Sequence, residues 1–173
     1  MTKTSFVSVA AELKQILNLT HASLNALSEQ ETSVPPKSGK WCKKEILGHL
    51  IDSASNNHQR FVRAALAGSL TFPGYQQAEL VELERPRKVP WKLLVEFWVS
   101  YNRYLAHVIA VLPEDAASVT CNIGDNPPCT LLYIADDYVA HIKHHLNQIL
   151  GTKFDTSYVP EVKSQQSAIG GKR

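Results

Sequence analysis

The fold is decided by residues 130–151, which read TLLYIADDYVAHIKHHLNQILG. Apolar residues recur there at steps of three and four, the spacing that places side chains on one face of a helix. Thr130 is a residue type favoured immediately before a helix, and Gly151 is the type favoured immediately after one. The segment therefore predicts an amphipathic helix over residues 130–150, with its apolar face turned towards a protein core.

Three other segments have the same periodicity, at residues 7–28, 42–67 and 90–112. Pro90 stands at a helix start, where its missing N–H costs nothing, and Gly68 ends the second segment. No stretch alternates apolar and polar residues between turn signals, so the sequence does not require a β-sheet. The four segments predict an all-α fold, a four-helix bundle.

The connections between the helices determine their order in the bundle. The stretch from Gly68 to Val89 has about 20 residues without periodicity, which is long for a compact domain unless it is functional or crosses over. We expect a long crossover between helices 2 and 3, which then run parallel in an up-down-down-up bundle. The bundle domain is expected over residues 1–155, and a polar C-terminal tail over residues 156–173.

The composition is that of one ordinary globular domain. The chain has 173 residues, of which 44% are hydrophobic and 20% charged, with a formal net charge of +2. A nucleic-acid partner is not expected, because such surfaces carry a basic excess. The lysines before and at the start of the second helix are interpreted as solvated charge: Lys37, Lys40, Lys43 and Lys44. No apolar run reaches the roughly 20 residues of a membrane span, so no membrane partner is expected.

The three cysteines are an odd number without CxxC spacing, which favours neither a disulfide framework nor a zinc ribbon. We expect a reducing, cytoplasmic location.

The histidines are unevenly placed along the chain. His141 and His145 share a helix face because they are four residues apart, and His144 is displaced by about 60°. His49 lies in an apolar part of the second helix. One shared metal ion would satisfy these three otherwise costly buried side chains and leave a coordination position open, as catalytic sites do. The alternative is that they are ordinary core and surface residues, as we interpret the remaining histidines: His21, His58 and His107.

A polar stripe follows His49 along the second helix: Asp52, Ser53, Asn56 and Arg60. Such a stripe is either the solvent face of the helix or the lining of an internal cavity. Asp52 lies one turn beyond His49, so we predict that it holds a ligating ring N–H or accepts a proton at the site. The alternative is a structural role for Asp52, through Arg60 or Tyr138.

Two segments resemble the motifs of a known family. WCKKEILGHLIDS at residues 41–53 resembles W-S-x-x-E-x-x-x-H-L-x-D-S, and DYVAHIKHHLNQI at residues 137–149 resembles H-x-x-H-H-x-x-Q-I. These are the two motifs of the DinB-like (YfiT-like) metal proteins. The resemblance implies a four-helix bundle, often a homodimer, that binds a divalent metal, Zn or Ni. The ligands that it implies are His49, His141 and His145.

The activity that the resemblance implies has two forms. Some relatives use the metal to activate a low-molecular-weight thiol as a transferase, and others are described as metal-dependent hydrolases. Either would act on a small-molecule substrate, with Asn56 and Gln148 as expected contacts and Asp52 as the expected catalytic residue. The alternatives are a non-catalytic metal-binding or small-molecule-binding stress protein, and a purely structural bundle. Cys42 departs from the motif: it replaces a Ser, which weakens the capping box before the second helix.

Overall fold

The computed structural model describes residues 4–158. In chain order its helices and strands are α1 (Phe6–Ala26), α2 (Glu29–Ser33), α3 (Lys43–Ala67), β1 (Ser69–Phe72), α4 (Gln77–Glu84), α5 (Trp91–Ala110), β2 (Thr120–Ile123), β3 (Cys129–Thr130) and α6 (Leu131–Leu150). Two 3₁₀ turns span Pro86–Lys88 and Glu114–Ser118. The four long helices, α1, α3, α5 and α6, are the four predicted from the sequence, and each of their ends lies within two residues of the predicted one.

The four long helices form the predicted bundle. Trp91, at the start of α5, donates from Nε1 to the carbonyl oxygen of Leu24, near the end of α1, over 2.7 Å, so these two helices are antiparallel. His49, early in α3, lies against His145, late in α6, so this second pair is antiparallel as well. The all-α prediction is confirmed at the level of the bundle.

The long connection crosses over as predicted, and it leaves α3 and α5 parallel. Lys44, at the start of α3, donates to the carbonyl oxygen of Arg87, just before α5, over 3.3 Å. Further along the same two helices, Nδ1 of His58 lies 3.1 Å from the hydroxyl of Tyr101. Two contacts in the same order along both helices define a parallel pair, which gives the up-down-down-up order.

The core lies between the facing sides of the four long helices. Its largest fully buried side chains come from all four: Leu13, Leu17, Leu24, Leu47, Leu50, Phe61, Trp91, Trp98, Leu105, Ile109, Leu131 and Tyr138. Burying one large apolar side chain contributes about 1.5–3 kcal/mol, so this set stabilises the bundle more than any surface pair does. The polar end of Tyr138 is satisfied, because its hydroxyl donates to Oδ1 of the buried Asn102 over 2.5 Å.

A small three-stranded sheet, which the sequence did not indicate, accompanies the bundle. β1 pairs in parallel with β2, with Leu70 opposite Cys121, and β2 pairs antiparallel with β3, with Cys121 opposite Cys129. The strands have four, four and two residues, too few to produce a period-2 pattern that stands out from loop sequence. The sheet ties the crossover to the segment that leads into α6.

The interpretation of the lysine cluster as solvated charge is wrong for Lys44. This side chain is 2% exposed and forms an ion pair with Glu29 of α2. Lys43 pairs in the same way with Glu31, at 2.5 Å. These pairs fasten the short helix α2 to the start of α3.

No helix within residues 4–158 is long and apolar enough to cross a membrane. The predicted tail, residues 156–173, lies for the most part outside the described residues, which end at Tyr158. Within them, Thr156 donates from Oγ1 to the carbonyl oxygen of Ala140 over 2.7 Å, so the first tail residues pack against α6.

Gly48→Ala tests how closely the crossover packs on α3. A Cβ at Gly48 would lie 2.6 Å from both Cβ and Cγ of Pro86. Because the proline ring is closed onto its own backbone, it cannot rotate away to relieve this overlap. In an open helix, Ala would stabilise by about 1 kcal/mol over Gly. We expect instead a loss of about 1–3 kcal/mol in the free energy of unfolding, the usual cost of overpacking, measured by urea denaturation.

The matched control for this substitution is the Pro86→Gly background. With the opposing side chain removed, Gly48→Ala should cost little or regain stability. An equal loss in both backgrounds would show that the contact with Pro86 is not the cause.

Candidate metal centre

Three imidazole rings meet in the interior of the bundle. His49 comes from α3, and His141 and His145 come from successive turns of α6, on the face turned towards α3. The ring centroid of His49 is 4.9 Å from that of His141 and 4.9 Å from that of His145, and the last two are 4.5 Å apart. All three are buried. The antiparallel packing of α3 on α6 therefore assembles the three histidines that the sequence singled out.

The ring nitrogens are spaced as the ligands of one metal ion would be. One nitrogen from each ring lies within 4.8 Å of the other two, and Nε2 of His49 is 3.0 Å from Nε2 of His141. A tetrahedral zinc site, with Zn–N distances of about 2.0–2.1 Å, places two ligand nitrogens about 3.3 Å apart. Among residues 4–158, no carboxylate or thiol joins the group. The donor set thus suits an ion that accepts three nitrogens and keeps an open position.

Burial keeps these rings neutral near pH 7. It lowers the pKa of His49 to about 3 and that of His145 to about 4, and it lowers the pKa of His141 well below the usual value. The neighbouring rings lower the pKa values of His49 and His141 further. A neutral imidazole is the form that binds a metal, so no proton has to leave before an ion binds.

Two polar side chains orient the ligand rings from behind. Nδ1 of His145 donates to Oε1 of Gln148 over 2.8 Å, which leaves Nε2 of His145 for the centre. Nδ1 of His141 lies 3.3 Å from Oγ of Ser53. Such outer contacts fix the tautomer and direction of a ligating ring. Nδ1 of His49 is buried and has no hydrogen-bond partner within the described part of the chain.

The remaining histidines stay outside the cluster. Nε2 of His144 accepts from the Gln148 amide over 3.0 Å, so this ring is directed along α6 and not into the centre. His58 contacts Tyr101 on the other side of α3. His21 is half-buried and His107 is exposed.

A cavity of about 740 Å³ opens beside His141. Its polar lining includes Ser53, Asn57, Arg60, Tyr75, Asp137 and Tyr158. Ser53 and Arg60 belong to the polar stripe that the sequence indicated as either a solvent face or a cavity lining, whereas Asn57, Tyr75 and Asp137 were not predicted. Two of these were detectable, because Asp137 is four residues before His141 and Asn57 is eight after His49. Tyr75 lies between β1 and α4, outside any helix, so no helical spacing relates it to the histidines.

Asp52 lies apart from this cavity lining. Its carboxylate is buried, and the burial, together with the charge of Glu84 at the end of α4, raises its pKa to about 7. Among the described residues, Oδ2 of Asp52 has no hydrogen-bond partner, and neither has Nδ1 of His49, so the two do not orient each other. The two structural partners considered for Asp52 bond elsewhere: Arg60 to Asn57 and Tyr138 to Asn102.

The two predicted substrate contacts also lie outside the cavity lining. Asn56 donates from Nδ2 to the carbonyl oxygen of Asp52 over 3.0 Å, within its own helix. Gln148 is exposed and bonded to His144 and His145. Tyr158, which the sequence assigned to the tail, packs instead against the centre, with its ring 4.8 Å from the ring of His141.

Comparison with known proteins gives consistent matches. A family model described as the DinB superfamily matches residues 12–149. A Bacillus pumilus (strain SAFR-032) protein named "Putative metal-dependent hydrolase" is 27% identical over 139 residues, which cover 80% of this chain and 79% of the relative. A Bacillus cereus (strain AH820) protein of the same description is 22% identical over 138 residues, with the same two coverages.

A solved structure shares the fold. YfiT from Bacillus subtilis, described as a probable metal-dependent hydrolase with an unusual four-helix bundle topology, aligns with a TM-score of 0.67 at 15% sequence identity. The alignment covers 86% of this chain and 90% of that one. The unusual topology in that description is in keeping with the parallel pair α3 and α5 found here.

Single replacements of the three central histidines test the metal centre. His49→Ala, His141→Ala and His145→Ala should each abolish stoichiometric Zn or Ni binding, measured by elemental analysis of untagged protein, because two imidazoles hold a divalent ion far more weakly than three. His21→Ala, His58→Ala and His107→Ala should bind as the wild type does. If His144→Ala loses as much metal as His145→Ala, the ligand set is wrong.

Asp52→Asn tests the carboxylate pair between α3 and α4. A carboxyl whose pKa is raised by folding destabilises the folded state as pH rises from about 4 to about 7, and asparagine removes that loss. We expect Asp52→Asn to be more stable than the wild type at pH 8 by about 1–3 kcal/mol, since each pKa unit corresponds to about 1.4 kcal/mol. At pH 4 the two should be equal, as measured by chemical denaturation.

Glu84→Gln provides the second corner of a double-mutant cycle. It should also stabilise the protein at pH 8, and the two gains together should be less than additive, because either change removes the same repulsion. A stability difference between Asp52→Asn and the wild type that is independent of pH would contradict this assignment.

Proposed function

The chain belongs to the DinB superfamily, and from this membership we propose that it is a metal-dependent hydrolase acting on a small molecule. The observation that carries the proposal is the convergence of three buried, neutral imidazoles beside a cavity of about 740 Å³. Structural zinc sites close their coordination shell with a fourth protein ligand. Within residues 4–158 the three histidines have none, which favours a catalytic centre over a structural one.

The centre has the parts that hydrolysis requires. When bound, a divalent ion held by three imidazoles supplies Lewis acidity and lowers the pKa of water to about 7. The chain supplies orientation through Gln148 and Ser53, which hold the rings of His145 and His141 from behind. Tyr158 packs against His141, with 4.8 Å between the ring centroids, and adds an aromatic ring to the cavity beside the centre.

Asp137 is the carboxylate that we propose for proton transfer. It lines the cavity, one turn of α6 before His141, and burial raises its pKa. A general acid or base works best when its pKa lies near the working pH, and burial is how a carboxylate approaches it. Asp52 is the alternative proposed from the sequence, and it has a pKa of about 7 but lies beside Glu84.

The finer assignments made from the sequence are proposals too. Zn and Ni are the metals proposed, since neutral imidazole suits both. A homodimer is proposed because α5 exposes a stripe of large apolar side chains, Leu93, Phe97 and Tyr104, which Val111 continues directly after the helix. Asn56 and Gln148 remain proposed substrate contacts, and Asn57 joins them because it lines the cavity. The cytoplasmic location is proposed from the cysteines, all three of which are free thiols in the structure.

Reconstitution of the chelated protein tests the proposed activity. Adding Zn or Ni should restore hydrolysis of a 4-nitrophenyl ester at least 100-fold above the chelated protein, and His141→Ala should not respond. In parallel, glutathione with 1-chloro-2,4-dinitrobenzene tests thiol transfer. Hydrolysis that does not depend on metal would refute the proposal, and metal-dependent thiol transfer without hydrolysis would favour the transferase form of the family.

Two isosteric replacements separate the candidate carboxylates. Asp137→Asn should lower kcat by about 10²-fold, the low end of general acid–base contributions, while metal content stays stoichiometric. Asp52→Asn should keep most of kcat. The reverse result would return the catalytic role to Asp52.

A further inference from the structure

Within residues 4–158, Arg60 is a buried cation without an ion-pair partner. Its side chain projects from α3, lines the cavity beside the metal centre, and the residue is 9% exposed. No carboxylate of residues 4–158 forms an ion pair with it. Its Nε is buried and has no hydrogen-bond partner in the same part of the chain. A guanidinium in this position carries a desolvation cost that the contacts described next offset only in part.

The contacts that Arg60 does make are neutral. One terminal nitrogen donates to Oδ1 of Asn57 over 3.3 Å, and the guanidinium carbon lies 5.6 Å from the ring centroid of Phe72. A neutral acceptor and an aromatic face hold the planar group in place, and its other donors stay available. Guanidinium is the group that pairs with carboxylates through two parallel hydrogen bonds.

The remaining charge of the cavity selects the kind of anion. Asp137 lines the same cavity and lies near enough to Arg60 for each to influence the other's ionisation. A carboxylate so close opposes a phosphate dianion, which would need a second cation. A single negative charge, such as a carboxylate, matches the one guanidinium.

We propose that Arg60 binds a carboxylate of the substrate, so that the substrate class is a small carboxylic acid whose hydrolysable bond lies at the histidines. This inference rests on the proposed function for the position of the reacting bond. Asn57, the hydrogen-bond partner of Arg60, lies eight residues beyond His49, which is about 12 Å along the helix. A chain of six to eight carbons spans that separation once the contacts at both ends are included.

Two hydroxamates of equal length test the proposal on metal-loaded protein. Suberic acid monohydroxamate and octanohydroxamic acid share a metal-binding head and eight carbons, and they differ in the carboxylate at the tail. The wild type should bind the carboxylate form at least tenfold more tightly, measured by calorimetry. In Arg60→Gln this preference should disappear, while the affinity for octanohydroxamic acid stays within about twofold, because a charge-assisted hydrogen bond is lost only at the tail.

Arg63→Gln is the matched control. Arg63 is one turn further on α3, exposed, and also lies over the ring of Phe72, at 5.9 Å. It should retain the full preference for the carboxylate. The proposal would be overturned if the wild type showed no preference for the carboxylate form, if Arg63→Gln lost it, or if Arg60→Gln kept it.

Stability separates a binding role from a structural one. Removing an unpaired buried charge should leave the Tm of Arg60→Gln unchanged or raise it. Should Arg60→Gln fail to fold, Arg60→Lys retains the charge and should keep part of the preference. An Arg60→Lys protein that folds and binds the two tails equally would overturn the proposal.

A second probe distinguishes failure of the proposed metal-dependent function from failure of the proposed anion site at Arg60. Hexanoate added to the chelated protein, where its carboxylate has no metal to bind, should raise the Tm of the wild type and of Arg63→Gln but not that of Arg60→Gln. If octanohydroxamic acid does not bind while hexanoate gives this pattern, the metal-dependent function fails and the anion site stands. If hexanoate shifts all three proteins equally, Arg60 is not the anion site.

Discussion

The structure depends on placing three imidazoles in the interior between α3 and α6. A histidine with no exposed surface must stay neutral, and its ring nitrogens must be satisfied within the protein or by a ligand. One nitrogen from each of His49, His141 and His145 converges on a shared centre, where one ligand would satisfy all three, whereas Nδ1 of His49 has no hydrogen-bond partner within residues 4–158. The convergence occurs where α3 and α6 pack antiparallel, with the start of α3 against the end of α6.

The crossover between α3 and α5 is the consequence of that arrangement. Because α5 runs parallel to α3, it starts at the end of the bundle where α3 starts. The chain therefore returns along the bundle through β1, α4 and a 3₁₀ turn. Gly48, next to His49, permits Pro86 of that turn to approach α3 without a Cβ in the way. Gly48 thus allows the crossover to pack on α3, and the next residue, His49, contributes a nitrogen to the metal centre.

The sequence predicted the features that depend on local residue spacing, and it did not predict those that depend on contacts between distant segments. Helix bounds and the triad came from local spacing, since i and i+4 residues share a helix face, and the long non-periodic stretch indicated a crossover. The three-stranded sheet was missed because its strands are held by pairing between distant segments and are too short for a pattern of their own. The burial of Lys44 was missed because it depends on Glu29 reaching it from α2. Tyr75 lines the cavity from the crossover, outside any helix or strand, where no residue spacing predicts which way a side chain points.

The polar atoms that remain unsatisfied are unevenly distributed, and their distribution separates function from stability. Within residues 4–158, four buried side-chain atoms lack a hydrogen-bond partner, and three of them, on His49, Asp52 and Arg60, belong to α3. Each such atom costs about 1–3 kcal/mol. α1 shows the opposite character: its buried face is apolar apart from Thr20, which bonds within its own helix. The packing of α1 on α5 can therefore offset the cost that α3 carries, because each large apolar side chain buried there contributes a similar amount. Two of the three unpaired atoms of α3 belong to His49 of the metal centre and to Arg60 of its cavity. Because these groups lower the stability of the protein and the rest of the bundle offsets that cost, we interpret them as serving the function of the site.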